Sequence, residues 1–275
     1  EENLVFLKTA WPSDLDKFFA EKFGSRTKAA EAIERGLVLV NGKPVRPKDE
    51  VAPSDDFRFV RPDEYFVSNG GYKLARALNE FSYDCTGKIF ADLGASTGGF
   101  TDCLLQRGAE KVYAVDVGES LLHSSLKGNP KVVSLENSNV RYLTKENFSD
   151  KIDSVTADVS FISLRLVLPV IAAVLSEEGG AFVLVKPQFE CEKKNIGKSG
   201  IVHPSAHEKI VEKVLGFCKE ADLYPFGIVN APIRRGKNIE YVLYLKNTFQ
   251  GAKSDREILQ KVRAFVKQYS QGALE

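Results

Sequence analysis

The chain has 275 residues, 43% of them hydrophobic and 27% charged, which is the make-up of an ordinary soluble globular protein with room for one large domain and a smaller companion. Its formal net charge of +1 leaves no global electrostatic footprint, so a nucleic-acid partner would have to be met by a local patch. The longest apolar runs, such as Ala181-Phe-Val-Leu-Val185, are far too short to span a bilayer, and the opening residues show no secretory pattern. Cys85, Cys103, Cys191 and Cys218 are scattered with no CxxC pair, which indicates neither a disulfide framework nor a zinc site. A cytoplasmic protein without membrane or metal, and monomeric, is the expectation.

Residues 1–62 form the first organisational block. Leu15, Phe18, Phe19 and Phe23 mark one helical face. Ser25 then stands as N-cap to a second helix that Gly36 stops. Leu37–Val40 reads as a short strand turned by Asn41-Gly42, a strong hairpin signal, and Phe57–Val60 as a further strand. This small α+β module is followed by a linker over 63–72, a large domain over 73–250, and a C-terminal helix and tail over 251–275. In the large domain the candidate strands are Lys88–Leu93, Lys111–Asp116, Lys131–Leu135, Ser154–Asp158, Ala181–Lys186 and Glu240–Leu245, the last taken as an edge strand. Helical stretches lie at Leu74–Phe81, Thr101–Arg107, Leu164–Leu175, Ser205–Ala221 and Asp255–Tyr269. Strand and helix alternating at this spacing predict an α/β fold, Rossmann-like, with a doubly wound and mainly parallel sheet.

The first strand of that sheet enters Asp92-Leu-Gly-Ala-Ser-Thr-Gly-Gly-Phe100. Glycines at 94, 98 and 99 permit a tight turn and close approach of backbone N–H groups to a ligand. Their spacing is not the G-x-G-x-x-G of a dinucleotide pyrophosphate site, which argues against an NAD enzyme, although glycines also serve a plain strand–helix corner. About twenty residues on, Asp116 ends the second strand, where a carboxylate binds ribose hydroxyls. An adenosine-bearing ligand without phosphate fits both features: S-adenosyl-L-methionine. Asp92 is expected to complement its sulfonium or amino end, with Gly94, Ala95, Ser96, Thr97, Gly98, Gly99, Phe100, Asp116 and Val117 around it.

The later strands bear on what receives the methyl group. The fourth ends in Ala157-Asp-Val-Ser-Phe161, lacking the Pro-Pro-aromatic of amine methylation and the Pro-Cys of cytosine carbon methylation. The fifth ends in Lys186-Pro-Gln-Phe189. A lysine at the tip of an apolar strand is partly desolvated, which favours its neutral, basic form, and a second ammonium at Lys73 would act in the same direction. Asp158 and Glu240 are the carboxylates available to orient the two lysines. Such a cluster suits methylation of a sugar hydroxyl, whose proton must leave.

Several segments together resemble the TlyA/hemolysin A family of ribosomal RNA methyltransferases: Ser25-Arg26 through Asn41-Gly42, Gly70-Gly-Tyr-Lys-Leu74, Asp92 through Thr101, Val115-Asp-Val-Gly118, Asp158-Val-Ser-Phe-Ile-Ser163, Val185-Lys-Pro-Gln-Phe-Glu190, Ile196 through Val202, and Gly236-Lys-Asn-Ile-Glu240. The resemblance covers nearly the whole chain. It implies an S4-like RNA-binding domain joined to an FtsJ-like, class I methyltransferase domain, with S-adenosyl-L-methionine as cofactor, ribosomal RNA as partner and ribose 2′-O-methylation as activity. It carries a Lys-Asp-Lys-Glu tetrad onto Lys73, Asp158, Lys186 and Glu240, and an adenine-proximal region onto Glu136 and Asn139. Ser68-Asn69-Gly70-Gly71 and Ser13-Asp14 depart from the family pattern, each losing a basic residue.

Lys22, Arg26, Lys28, Lys43, Arg46 and Lys48 of the small module would form a phosphate-facing patch, with Arg234 and Arg235 flanking the cleft of the large domain. Acidic residues of similar number also make that module a mixed solvated surface. Gly197-Lys-Ser199 is no P-loop, since Glu192 stands where the first glycine belongs. The stretch Lys193–His203 is instead expected to be a mobile loop over the cleft, and His203 and His207 to be surface or helix-end residues. Two other classes compete with the enzyme: a membrane-active cytolysin, from the hemolysin label, and a non-catalytic RNA-binding protein that keeps the fold.

Overall fold

The computed structural model describes residues 14–23, 25–34, 36–52, 54–59, 65–232 and 236–270, without the side chains of residues 21, 22, 28, 31 and 59. The chain divides into two compact units, Glu1–Tyr65 and Phe66–Glu275.

In the first unit two single-turn helices, α1 (Leu15–Phe18) and α2 (Ala20–Phe23), precede α3 (Arg26–Glu34). Gly36 ends α3 at φ +70°, with its own N–H on the Ile33 carbonyl and that of Leu37 on the Ala32 carbonyl. This double bond closes a helix end only with a left-handed residue after it, and glycine takes that conformation without strain. Strand β1 (Val38–Val40) then pairs antiparallel with β2 (Lys43–Pro44) through a turn in which Asn41 and Gly42 both have positive φ, and with β3 (Phe57–Phe59) on its other side. Leu15, Phe19, Ala29, Ile33, Val38, Val40 and Val51 form the core. The ring of Phe57 stacks on Phe18 and meets Phe19 edge-on.

The second unit opens with α4 (Asn69–Glu80), so the expected linker gives way to helix at Asn69 and Tyr72 lies inside it. Then follow β4 (Ile89–Leu93), α5 (Gly99–Gln106), β5 (Lys111–Val115), β6 (Val132–Leu135), β7 (Ser154–Ala157), α6 (Leu168–Val174), β8 (Ala181–Val185), the single turn α7 (Pro187–Glu190), α8 (His207–Glu220), β9 (Tyr224–Asn230), β10 (Tyr241–Lys246) and α9 (Asp255–Ser270). The sheet order is β6-β5-β4-β7-β8-β10-β9, with β10 antiparallel to both neighbours. The direction of winding reverses between β4 and β7, and ligands of open α/β sheets bind in the crevice at such a reversal.

The expected edge strand is therefore an interior one, and β9, which the sequence reading passed over, is the edge. Pro225 and Gly227 conceal it in the sequence. Proline is tolerated in an edge strand, and a Cβ on Gly227 would stand 2.3 Å from the Phe81 ring that packs there. Each face of the sheet has its own core because strand residues alternate. Ala181, Val183 and Val185 join Tyr241, Leu243 and Leu245 on one face, under α6, α8 and α9; Phe182 and Leu184 join Val242 and Tyr244 on the other, under α4 and α5. Burying each large side chain contributes roughly 1.5–3 kcal/mol. Ile258, Leu259 and Val262 of α9 lie in the first of these cores, so the expected C-terminal helix packs as part of the second unit. Among the described residues no helix is long and apolar enough to cross a membrane, and no three His, Cys, Asp or Glu side chains are grouped to hold a metal.

His207 opens α8, the helix end expected for it, but is buried rather than at the surface. Its Nδ1 lies 2.9 Å from the Tyr241 hydroxyl, and burial lowers its pKa to about 4. The unfolded chain, with the ordinary value near 6.5, takes up this proton first as pH falls. The stability contribution is therefore whole above pH ~6.5 and is lost as pH drops toward 4. Between pH 7.5 and pH 5, the change in unfolding free energy measured with urea is expected to differ by about 2 kcal/mol between wild type and His207→Phe, the wild type losing more. An unchanged pH dependence in that variant would contradict the assignment.

Candidate active site

Parallel strands in register deliver their next residues to one rim. Leu93 is level with Val115 and Ala157, and Val115 with Leu135, so Gly94, Asp116, Asp158 and Glu136 all emerge there. Strand β10 runs the other way, with Tyr241 opposite Val185, and so it begins where β8 ends. That reversal puts Glu240 beside the exit of Lys186.

The turn after β4 holds Gly94 at φ +81° and Gly98 at φ +90°. A Cβ on Gly94 would lie 2.9 Å from the backbone oxygen of Asp158, so only glycine lets the turn and the end of β7 approach this closely. Asp116 braces the turn from the other side: Ser96 N–H donates to one carboxylate oxygen at 2.8 Å and Gly118 N–H to the other at 2.9 Å. Asp116 also lines a shallow hollow together with Ala95, Ser96, Leu121, Ser134 and Glu136. Val117 and Leu121 stand exposed at its edge. Donors, a two-oxygen acceptor and an apolar rim fit the nucleoside half of S-adenosyl-L-methionine.

Four expected cofactor contacts lie elsewhere. Asp92 is fully buried: its register partner across β4–β7 is Thr156, and it accepts hydrogen bonds from Thr156 Oγ1 at 2.9 Å and Thr101 Oγ1 at 2.7 Å. Strand alternation turns its carboxyl under α5 rather than out of the rim, and burial raises its pKa to about 7. Phe100 is buried in the core beneath α4, and Gly99 faces α4 rather than the hollow. Asn139 does not line the hollow; its side-chain oxygen accepts from Arg141 N–H, capping a short 3₁₀ turn.

Lys186 Nζ lies 2.6 Å from Asp158 Oδ1 and donates to Ser160 Oγ at 2.7 Å. Lys73 Nζ lies 2.6 Å from Glu240 Oε2, a pairing across 167 residues of chain. Side-chain exposures of 10% and 20% in the first pair and 23% and 17% in the second show that the charges are largely withdrawn from water yet still reachable. Lys73 arrives by way of α4, whose first turn abuts α5: a Cβ on Gly99 would meet Ser68 Oγ at 2.1 Å and the Gly71 nitrogen at 3.0 Å. The tetrad is thus gathered as two ion pairs, each ammonium with its own carboxylate.

Three side chains at this rim escaped the sequence reading. Gln188 Nε2 donates to Glu240 Oε1 at 3.2 Å; Glu190, buried, accepts from Ser163 Oγ at 2.8 Å and Leu164 N–H at 2.7 Å; Phe161 is 91% exposed, with φ +61° and its ring on Phe189. All lie in the two quoted motifs, but an amide, a buried acid and a bare aromatic have no charge pattern to announce them.

Of the expected RNA contacts, Arg26 is committed elsewhere: it lies 2.9 Å from both Asp14 and Asp16. Lys43 and Lys48 are exposed, and Arg46 is exposed beside Asp49. The side chains of Lys22 and Lys28, and Arg234 and Arg235 as a whole, lie outside the described residues. The Lys193–His203 stretch is tied down rather than loose, with an Ile196–Val202 bridge and Asn238 bonded to Val202 N–H at 2.7 Å and to the Gly200 carbonyl at 3.0 Å.

This sheet order, with a glycine turn after β4 braced by a carboxylate at the end of β5, is that of the class I methyltransferases. The chain belongs to the FtsJ-like methyltransferase family, whose pattern matches residues 66–248, and carries an S4 domain over residues 15–57. It is 41% identical over 226 residues to the 16S/23S rRNA (cytidine-2′-O)-methyltransferase TlyA of Mycobacterium tuberculosis, covering 81% of this chain and 84% of that one. It is 40% identical over 224 residues to Hemolysin A of Brachyspira hyodysenteriae, covering 80% and 93%. A solved structure from Streptococcus thermophilus that carries a hemolysin name superposes with a TM-score of 0.71 at 35% identity, covering 95% of this chain and all of that one.

Gly99→Ala is expected to lower unfolding stability by about 1–3 kcal/mol, since the new methyl group meets helix backbone that cannot yield without shifting α4. Urea denaturation measures it; a wild-type midpoint would show that α4 is not held against the turn.

Proposed function

We propose that this protein transfers a methyl group from S-adenosyl-L-methionine to a ribose 2′-hydroxyl of ribosomal RNA. The observation that carries the reading is the Lys186–Asp158 ion pair, 2.6 Å long, set against the Gly94 turn, with the Lys73–Glu240 pair at the same rim. The (cytidine-2′-O)-methyltransferase relative and the S4 domain support the RNA substrate.

Asp116, Ser96, Gly118 and Glu136 would hold the nucleoside of the cofactor, leaving the far end of the turn for its methionine half. When bound, the cofactor supplies a methyl group already activated on sulfur. Alignment of the acceptor is then the main task left to the protein. Lys186 Nζ meets the 2′-hydroxyl, directs an oxygen lone pair at the methyl carbon and stabilises negative charge on that oxygen. The proton that the hydroxyl gives up would leave through the Lys186–Asp158 pair to solvent. Glu240 orients Lys73, which holds the ribose phosphate backbone or the neighbouring hydroxyl. Lys43, Arg46 and Lys48 of the S4 domain, with Arg234 and Arg235, supply contacts to RNA phosphates, which position without reading sequence. Such an enzyme works where ribosomes are, in the cytoplasm.

Ribosomes that lack the modification, incubated with labelled cofactor and followed by nucleotide mapping, test the reading. Lys186→Ala and Asp158→Ala are expected to lower kcat at least about a hundredfold, the scale of acid–base and positioning groups. Asp116→Ala is expected to raise the cofactor KM about tenfold with a smaller change in kcat. Full activity in Lys186→Ala would remove the catalytic assignment.

A further inference from the structure

The single turn α7 and its N-cap touch both ion pairs of the rim. Lys186, its N-cap residue, pairs with Asp158; Phe189 packs on Phe161; Glu190 holds Ser163 and Leu164. These three contacts clamp the loop after β7. Gln188 alone of this turn reaches the other way, to Glu240.

Glu240 is consequently held from two sides. Its Oε2 takes Lys73 Nζ at 2.6 Å, from α4, and its Oε1 takes Gln188 Nε2 at 3.2 Å, from α7. The other end of the amide has nothing: Gln188 Oε1 is buried and has no hydrogen-bond partner among the described residues. Turning the amide over would set its oxygen against the Glu240 carboxylate, so the donor orientation is imposed by Glu240. A buried acceptor without a donor is unfavourable, and an apolar side chain of the same length would leave nothing unsatisfied. For stability alone glutamine is a poor choice here. Without the amide, Glu240 would be held at this rim by a flexible lysine, and both side chains would regain rotamers.

We infer that Gln188 is a positioning residue: its amide fixes the Glu240 carboxylate and, through it, the Lys73 ammonium. The inference rests on the reading of these four charges as the methyl-transfer site, and its effect is on turnover rather than on binding.

The full chain with Gln188→Leu is expected to lose about ten- to thirtyfold in kcat, with KM for cofactor and for ribosomes within about twofold and the unfolding midpoint equal or higher. Gln188→Met is expected to match it. Gln188→Glu, isosteric but facing one carboxylate with another, is expected to lose about a hundredfold. In a Glu240→Gln background Gln188→Leu should cost less than about twofold more, because both changes act on one element. Wild-type kcat in Gln188→Leu, or losses that multiply with Glu240→Gln, would overturn the inference. Crystal structures of the wild type and Gln188→Leu give a readout independent of turnover. Separation of Lys73 Nζ from Glu240 beyond about 4 Å, the limit of an ion pair, supports the inference, and an intact pair overturns it. A wild-type chain that methylates no RNA would sink the functional reading instead, leaving the crystal comparison to judge Gln188.

Discussion

The ion pair between Lys186 and Asp158 is the contact on which the rest of the site depends, and it exists because two parallel strands end side by side. Ala157 is level with Val183, so the residues leaving β7 and β8 share one rim, and an ammonium and a carboxylate come to 2.6 Å there. With a tenth to a fifth of their side chains exposed, neither charge is well hydrated by itself. Removing one would leave the other poorly compensated, which makes the pair a constraint on both strand ends as well as a chemical device. The Gly94 turn closes on the same point, because a backbone without Cβ is what allows the cofactor loop to touch the residue that carries the carboxylate.

The second pair depends on two features distant in the chain. Helix α4 lies tight on α5 because Gly70 and Gly99 leave no side chains between them, and this brings Lys73 to the rim. Strand β10 runs against its neighbours, which brings the residue before it, Glu240, to the rim where the others end. Between the two pairs stands α7, a turn of four residues whose Gln188 reaches Glu240 and whose Glu190 holds Ser163 and Leu164. The packed cores on both faces of the sheet, with α9 included in one of them, supply the rigidity that fixed charges require.

The small unit presents a different balance. Its arginine nearest the start of α3 is paired with two aspartates and Arg46 with Asp49, while Lys43 and Lys48 stand exposed around the hairpin.

The amino-acid sequence by itself determined the alternation of strands and helices, the glycine turn, the carboxylate that ends the second strand at Asp116 and the four charges that the rim gathers, because hydrophobic period, turn chemistry and charge are local properties. It could not show which lysine takes which carboxylate, nor that Asp92 and Phe100 face inward. Those outcomes follow from register and strand alternation, which relate residues far apart in the chain. It also concealed β9, where proline and glycine mask a strand that a neighbouring ring makes possible. The role of Gln188 was beyond it for the same reason: an uncharged amide acquires meaning only from what stands opposite, and tertiary packing alone places Glu240 there.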